Sequence, residues 1–204
     1  MSVVGLVLAA GASSRFGSNK LLAPLGDRPV LQHALDAVAA AGLTDVVVVL
    51  GASAGEIEPA IAWRAERRVI NERPEDGLSS SLRVGLDAGV EIPGADSVLV
   101  VLGDQPQLRA DVVRAVVAAA SSAGAATAQF IRPRYAADAA PNPVLVRRSA
   151  WALAAGLEGD RGLGPLLASR PELVIEVPVP GANPDIDTPA DLAAASPRPP
   201  EDLR

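Results

Sequence analysis

The run Val46-Val47-Val48-Val49-Leu50 constrains the fold most, because it offers no polar side chain to a solvent-facing side. β-Branched residues are stiff at χ1 and fit a pleated surface. A strand without polar alternation belongs in a parallel sheet covered on both faces. Val3 to Ala9 and Ser97 to Leu102 have the same character and read as further buried strands. Between the strands lie helical patterns. After a turn at Pro24-Leu25-Gly26-Asp27-Arg28, Pro29 opens a helix that places Val30, Leu31, Ala34, Leu35 and Val38 on one face. Ala54 to Arg67, Asp111 to Ala120 and Trp151 to Leu157 read as helices. Shorter strands are expected at Arg68 to Asn71, Ala125 to Ile131, Val144 to Val146 and Leu173 to Val177, with a long loop from Arg132 to Pro141. The alternation predicts an α/β fold. With 204 residues, 49% of them hydrophobic, there is material for one substantial core. No repeat or linker divides the chain, so residues 1–195 read as one domain. Residues 196–204, with Pro197, Pro199 and Pro200, read as a disordered tail.

Composition narrows the function. A net charge of -6 argues against nucleic acid as a partner, whose binding surface is basic. The absence of cysteine excludes disulfides, thiolate metal sites and iron–sulfur clusters. The opening Met1-Ser2-Val3 lacks the positive segment of a signal peptide. No uncharged apolar run reaches membrane-spanning length, and the Val112 to Ala126 stretch is broken by Arg114 and two serines, so no membrane span is expected. A cytoplasmic location follows as the expectation. Aromatic residues make up 2% of the chain, which leaves base or ring recognition to backbone and aliphatic contacts.

The Val3–Ala9 strand empties into Leu8-Ala9-Ala10-Gly11-Ala12-Ser13-Ser14-Arg15-Phe16-Gly17-Ser18-Asn19-Lys20. Small side chains let backbone N–H groups approach a polyphosphate, and Arg15 and Lys20 neutralise its charge. The loop is not a Walker A motif, because Gly17 is followed by Ser18-Asn19-Lys20. Nor is it the dinucleotide fingerprint, which needs a third glycine. The Val46–Leu50 strand also ends at Gly51-Ala52, without the acidic residue that would hold a ribose. An ordinary βα turn with two surface cations is the competing reading.

Two acidic segments stand out. Asp104 follows the Ser97–Leu102 strand in Gly103-Asp104-Gln105-Pro106, at the edge where open α/β sheets bind ligands; a turn former is the competing reading. Thr188 and Pro189 make a good helix start, with Asp191 in the first turn. That leaves Asp185 and Asp187 of Asp185-Ile186-Asp187-Thr188-Pro189 unexplained. Ser79 and Ser80 fall where a helix begins and read as its N-cap. His33, the only histidine, lies off the apolar stripe of its helix and is read as incidental.

Together these segments resemble the MobA-like nucleotidyltransferases, whose signature is L-A-[AG]-G-x-S-x-R-[MF]-G…K. The resemblance runs in order from about Val3 to Leu192. It implies a Rossmann-like fold, similar to the nucleotide-diphospho-sugar transferases, with an open, mostly parallel sheet and helices on both faces. It implies nucleotide contacts from Leu8, Ala9, Ala10, Gly11, Ser13, Ser14, Arg15, Gly17, Lys20, Ser79 and Ser80. Arg15 and Lys20 would also be catalytic, and Asp104 and Asp187 would ligate Mg²⁺. The Leu8-Ala9-Ala10-Gly11 form looks like the cytidylyl-transferring branch. The implied reaction moves CMP from CTP to the terminal phosphate of molybdopterin cofactor, with molybdenum hydroxylases as clients. In relatives a Gly-His-Pro or Gly-Asn-Pro step faces the acceptor. Here Pro141 replaces the glycine, while Asn142 and Pro143 match. Asp160, in a Gly-Asp-x-Gly turn, would also face the acceptor, although a helix C-cap with a connector explains it equally. Guanylyl or other nucleotidyl transfer, an NAD(P)-dependent reductase and a non-catalytic nucleotide-binding protein remain the alternatives.

Overall fold

The computed structural model describes residues 1–122, 127–136 and 142–196. Among them a seven-stranded sheet has β1 (Ser2–Ala9) as an interior strand, third from one edge. β1 pairs in parallel with β4 (Val46–Leu50) on one side and with β6 (Ala95–Leu102) on the other. β5 (Arg67–Ile70) extends the β4 side in parallel. Beyond β6, β8 (Val144–Arg147) runs antiparallel, followed by β7 (Phe130–Tyr135) and β9 (Val174–Val179). The chain builds outward from β1 through β4 to β5, then returns to β6. The carboxyl ends of β1 and β6 therefore flank a topological switch point.

Apolar residues alternate between two cores. Leu6, Leu8, Val47, Val49, Val98 and Val100 face Leu82 and Leu86 of α3 (Leu78–Val90) and Trp151 of α5 (Trp151–Ala155). Val7, Ala9, Val48, Leu50, Leu99 and Val101 face Leu31 and Leu35 of α1 (Val30–Ala40) and Val113 and Val116 of α4 (Ala110–Ala120). A Cβ at Gly85 would lie 2.3 Å from Leu6 Cδ1, so this glycine lets α3 settle directly on β1. The Gly26 turn closes a short hairpin between β2 (Pro24–Leu25) and β3 (Arg28–Pro29). His33 Nε2 lies 2.9 Å from the Leu25 carbonyl, tying α1 to that hairpin.

Several expectations are corrected. Ala54 to Arg67 is not one helix: α2 (Ala54–Ile57) gives way to a single 3₁₀ turn, Glu58–Ala60, and Ile61 is extended. Gln32 of α1 accepts the Ala62 amide at 2.8 Å, and the Trp63 indole caps the Glu58 carbonyl at 2.8 Å. One distant and one local side chain thus take groups that a longer helix would have used. Arg132 to Tyr135 belongs to β7 rather than to a loop. Of β7, β8 pairs only with Phe130 and Ile131, so Pro133 lies past the end of that ladder and needs no N–H toward β8, while it stays in register with Val177 of β9. β7 begins at Phe130, and the expected strand and loop portions at 123–126 and 137–141, Pro141 included, lie outside the described residues. A sixth helix, α6 (Gly164–Ser169), has no counterpart in the expectations. α7 (Pro189–Ala195) starts at Thr188 as expected and ends against Ser196; the rest of the proposed tail, 197–204, is outside the described residues.

Candidate active site

The loop after β1 folds around its small residues. Ser13 adopts a left-handed φ of 53°, and Gly17 one of 82°. The Ser13 hydroxyl accepts the Lys20 amide at 3.1 Å. Asn19 caps the Leu21 amide at 3.2 Å and so starts the 3₁₀ turn Lys20–Leu22. These bonds aim Lys20 inward, where its Nζ lies 2.6 Å from Asp104 Oδ2 and 2.8 Å from Asp187 Oδ1. Arg15 reaches the other oxygen of Asp187 at 3.0 Å while remaining largely exposed.

Asp104 stands just past β6. Its carbonyl accepts the Ile186 amide at 2.9 Å, which fixes the second acidic segment beside the first. Asp187 and Thr188 are anchored from behind, because both amides donate to Asp191 at the start of α7. Gln105 is buried and acts as a clasp. Its Nε2 donates to Asp185 Oδ1 at 2.5 Å and to the Asn183 carbonyl at 3.2 Å, and its Oε1 accepts from Asn183 at 3.0 Å.

Electrostatics follow from this packing. Burial alone would depress the Lys20 ammonium, but the charges and hydrogen bonds of Asp104 and Asp187 outweigh it and raise its pKa. The Lys20 hydrogen bond holds Asp187 below the usual carboxylate range. Burial, with the Asp104 charge next, pushes Asp185 up. Burial also pushes the Tyr135 phenol up to about 12, and it donates to the Asn142 carbonyl at 2.9 Å.

A cleft of about 650 Å³ opens above this cluster. Of the expected nucleotide residues, Leu8, Ala10, Gly11, Ser13, Ser14, Arg15 and Lys20 line it, and Asp104, Asp187 and Asp160 face it too. Ala9 instead packs into the core beneath α1, and Gly17 supplies only the turn. Ser79 and Ser80 are neither lining residues nor the N-cap. Gly77 is the cap of α3, and Ser80 is engaged by Asn71 at 2.8 Å and by the Gly77 carbonyl at 2.8 Å. Ser81, one residue on, reaches the cleft. Asn142, joined to Pro143 by a cis peptide, borders a smaller adjoining pocket of about 90 Å³. Sequence reasoning missed Gln105, Asn183 and the role of Asp185. The signal was Gln105 beside Asp104, and the two unexplained carboxylates, Asp185 and Asp187, before Thr188.

The donor set suits a hard divalent cation. Asp104 Oδ1 is buried and has no hydrogen-bond partner among the described residues. Two carboxylates from separate segments already share one cation. No group of three or more His, Cys, Asp or Glu residues that could hold a metal occurs among the described residues. A bound ion would therefore complete its shell with phosphate oxygens and water, the usual arrangement for Mg²⁺.

A cationic loop at the switch point of a doubly wound sheet, faced by paired carboxylates, defines a nucleotide-handling α/β domain. Residues 5–174 match the MobA-like NTP transferase domain, and the chain belongs to this family of nucleotidyltransferases. It is 30% identical to the purine catabolism protein PucB of Bacillus subtilis (strain 168), over 93% of each chain. It is likewise 30% identical to nicotine blue oxidoreductase of Paenarthrobacter nicotinovorans, over 91% of this chain and 92% of that one. The crystal structure of Rv0371c from Mycobacterium tuberculosis H37Rv superposes with a TM-score of 0.83 at 34% identity, covering 95% of this chain and 96% of that one. A manganese complex of Rv0371c superposes with a TM-score of 0.80 at 31% identity, covering 96% and 98%. It is 35% identical to the bifunctional protein GlmU of Paracidovorax citrulli (strain AAC00-1) over 56% of this chain, a match that spans only 24% of that protein. No helix among the described residues is long and apolar enough to cross a membrane.

Proposed function

We propose that the protein transfers CMP from CTP to the terminal phosphate of a molybdopterin-type cofactor and releases pyrophosphate. The observation that carries this reading is the convergence of Arg15 and Lys20 with Asp104 and Asp187 at one cleft. CTP is favoured by Leu8-Ala9-Ala10-Gly11 and by Asp185-Ile186-Asp187-Thr188-Pro189, which look like the cytidylyl branch. Leu8, Ala10, Gly11, Ser13 and Ser14 would surround the nucleotide, while Ala9, Gly17, Ser79 and Ser80 shape the loop and wall behind them. Asn142, Pro143 and Asp160 would meet the acceptor. Client molybdenum hydroxylases and a cytoplasmic location belong to the same reading.

Asp104 and Asp187 would hold Mg²⁺, and the manganese complex of Rv0371c supports the use of a divalent ion. When bound, such an ion neutralises phosphate charge and polarises the reacting phosphoryl group. The chain's own residues do the rest. A phosphate monoester, with a second pKa of about 6, is largely dianionic near neutrality. It needs no general base, which suits a cleft that contains no histidine. Arg15 and Lys20 would stabilise charge building on the departing pyrophosphate, a task that typically contributes on the order of hundredfold per group.

The test is Mg²⁺-dependent pyrophosphate release with CTP, GTP and ATP, each offered with molybdopterin cofactor. Release with CTP alone is expected. Release with none, despite tight CTP binding, rejects the acceptor and leaves the nucleotide site. The nicotine blue oxidoreductase relative favours a second reading, an oxidoreductase. NADPH oxidation by the purified protein would establish it.

A further inference from the structure

The position between Asp104 and Asp187, where a divalent cation belongs, is filled by Lys20 Nζ at 2.6 and 2.8 Å. We infer that Lys20 is a built-in occupant of the metal position, keeping the paired carboxylates closed to free metal until an incoming triphosphate draws the ammonium away. The inference rests on the proposed nucleotide and metal site and adds an order to its assembly.

Three observations carry it. The Lys20 side chain is 12% exposed and that of Asp104 is 19%, so the contact is sheltered from solvent screening. Lys20 is the only lysine among the 18 Lys and Arg residues of the chain. A compact ammonium seats between two oxygens as a point charge, which a planar guanidinium does not. Finally, Asp104 Oδ1 remains without a partner among the described residues, so the lysine satisfies the site only partly. A divalent ion arriving alone must break two charge-assisted hydrogen bonds and leave the ammonium uncompensated in a half-buried cleft. A triphosphate removes that penalty by giving Lys20 new anionic partners. Arg15 does not share the role, because it is 73% exposed and, among the described residues, forms an ion pair only with Asp187.

The test measures Mn²⁺ binding to the nucleotide-free protein by electron paramagnetic resonance of the free ion. Lys20→Met is expected to bind Mn²⁺ on the order of tenfold tighter than the wild type, a usual size for a coupling between sites. Arg15→Met, with the same change of charge, is expected to shift affinity by no more than about threefold, the scale of an exposed pair. If Lys20→Met binds no tighter, or if Arg15→Met gains as much, the inference is overturned. A second measurement needs no variant. Mass spectrometry follows acetylation of the single lysine in the wild-type protein, which Mn²⁺ should accelerate only at concentrations high enough to saturate the weakened site, where it displaces the ammonium from Asp104 and Asp187. Protection or no change counts against the inference. Neither measurement uses acceptor or nucleotide, so a wrong assignment of acceptor leaves both readable.

Discussion

The Ile186 amide donates to the Asp104 carbonyl at 2.9 Å, and this bond joins two segments far apart in the chain into one acidic floor. Gln105 reinforces the joint from below by holding Asp185 and Asn183. The carboxylates are therefore fixed by main chain and a buried amide before any ligand arrives.

Gln105→Leu removes that clasp and leaves the Asp185 carboxylate and the Asn183 groups without their partner. Stability should fall by about 1–3 kcal/mol, the cost of stranding buried polar groups. Urea denaturation checks this. A change within about 0.3 kcal/mol would mean that solvent already satisfies these groups.

The acid side of the stability curve should carry opposite contributions from neighbouring aspartates. Asp187 titrates below its ordinary value of 3.8, chiefly through the Lys20 hydrogen bond. Its stabilisation is therefore present above that value and lost as pH falls through the lower folded pKa. Asp185 is raised by burial, so its ionisation subtracts stability as pH climbs past 3.8. Asp187→Asn is expected to be less stable than the wild type at pH 7, and Asp185→Asn more stable, with both differences shrinking toward pH 3. Thermal melts across pH 3–7 test this, and pH-independent differences would contradict it.

Gly77 fixes one wall of the cleft. It has φ of +91°, and a Cβ there would stand 2.4 Å from the Gly159 carbonyl carbon. Gly77→Ala should push the 158–160 turn outward and break the Ser79 N–H to Gly159 carbonyl bond, now 3.2 Å. A loss of about 1–3 kcal/mol is expected from backbone strain alone, together with weaker CTP binding by calorimetry. Unchanged binding would show that this wall does not touch the nucleotide.

The sheet was legible because its central strands are apolar on both faces, a pattern that few folds accommodate. Lys20, Asp104 and Asp187 were legible because each sits at a strand end or before a helix in a distinctive motif. What escaped depended on distant partners. Gln32 is 30 residues from the amide that it takes from the expected second helix, and nothing local in Ala54 to Arg67 reveals it. Arg132 to Pro141 reads as a loop because the length of β8, which decides whether the N–H that Pro133 lacks is missed, is set elsewhere. Ser79 and Ser80 were assigned to the cleft from their motif, but helical geometry turns them inward and presents Ser81.

Lys20 and Asp104 should behave as one energetic unit. Lys20→Met leaves the largely buried Asp104 carboxylate without its cation, and Asp104→Asn leaves the ammonium to Asp187 alone. Lys20→Met strands a charge and Asp104→Asn leaves one with a single carboxylate, whereas the double change removes both members of the pair, so the losses should not add. A double-mutant cycle by urea denaturation is expected to give a coupling of about 1–3 kcal/mol, the range for residues in direct contact. Activity should show the complementary pattern, with either single variant down on the order of hundredfold in turnover. The double variant should be little worse than the poorer single, because groups acting on the same charge are not independent. Strict additivity in both readouts would mean that the contact between them contributes neither to the fold nor to turnover.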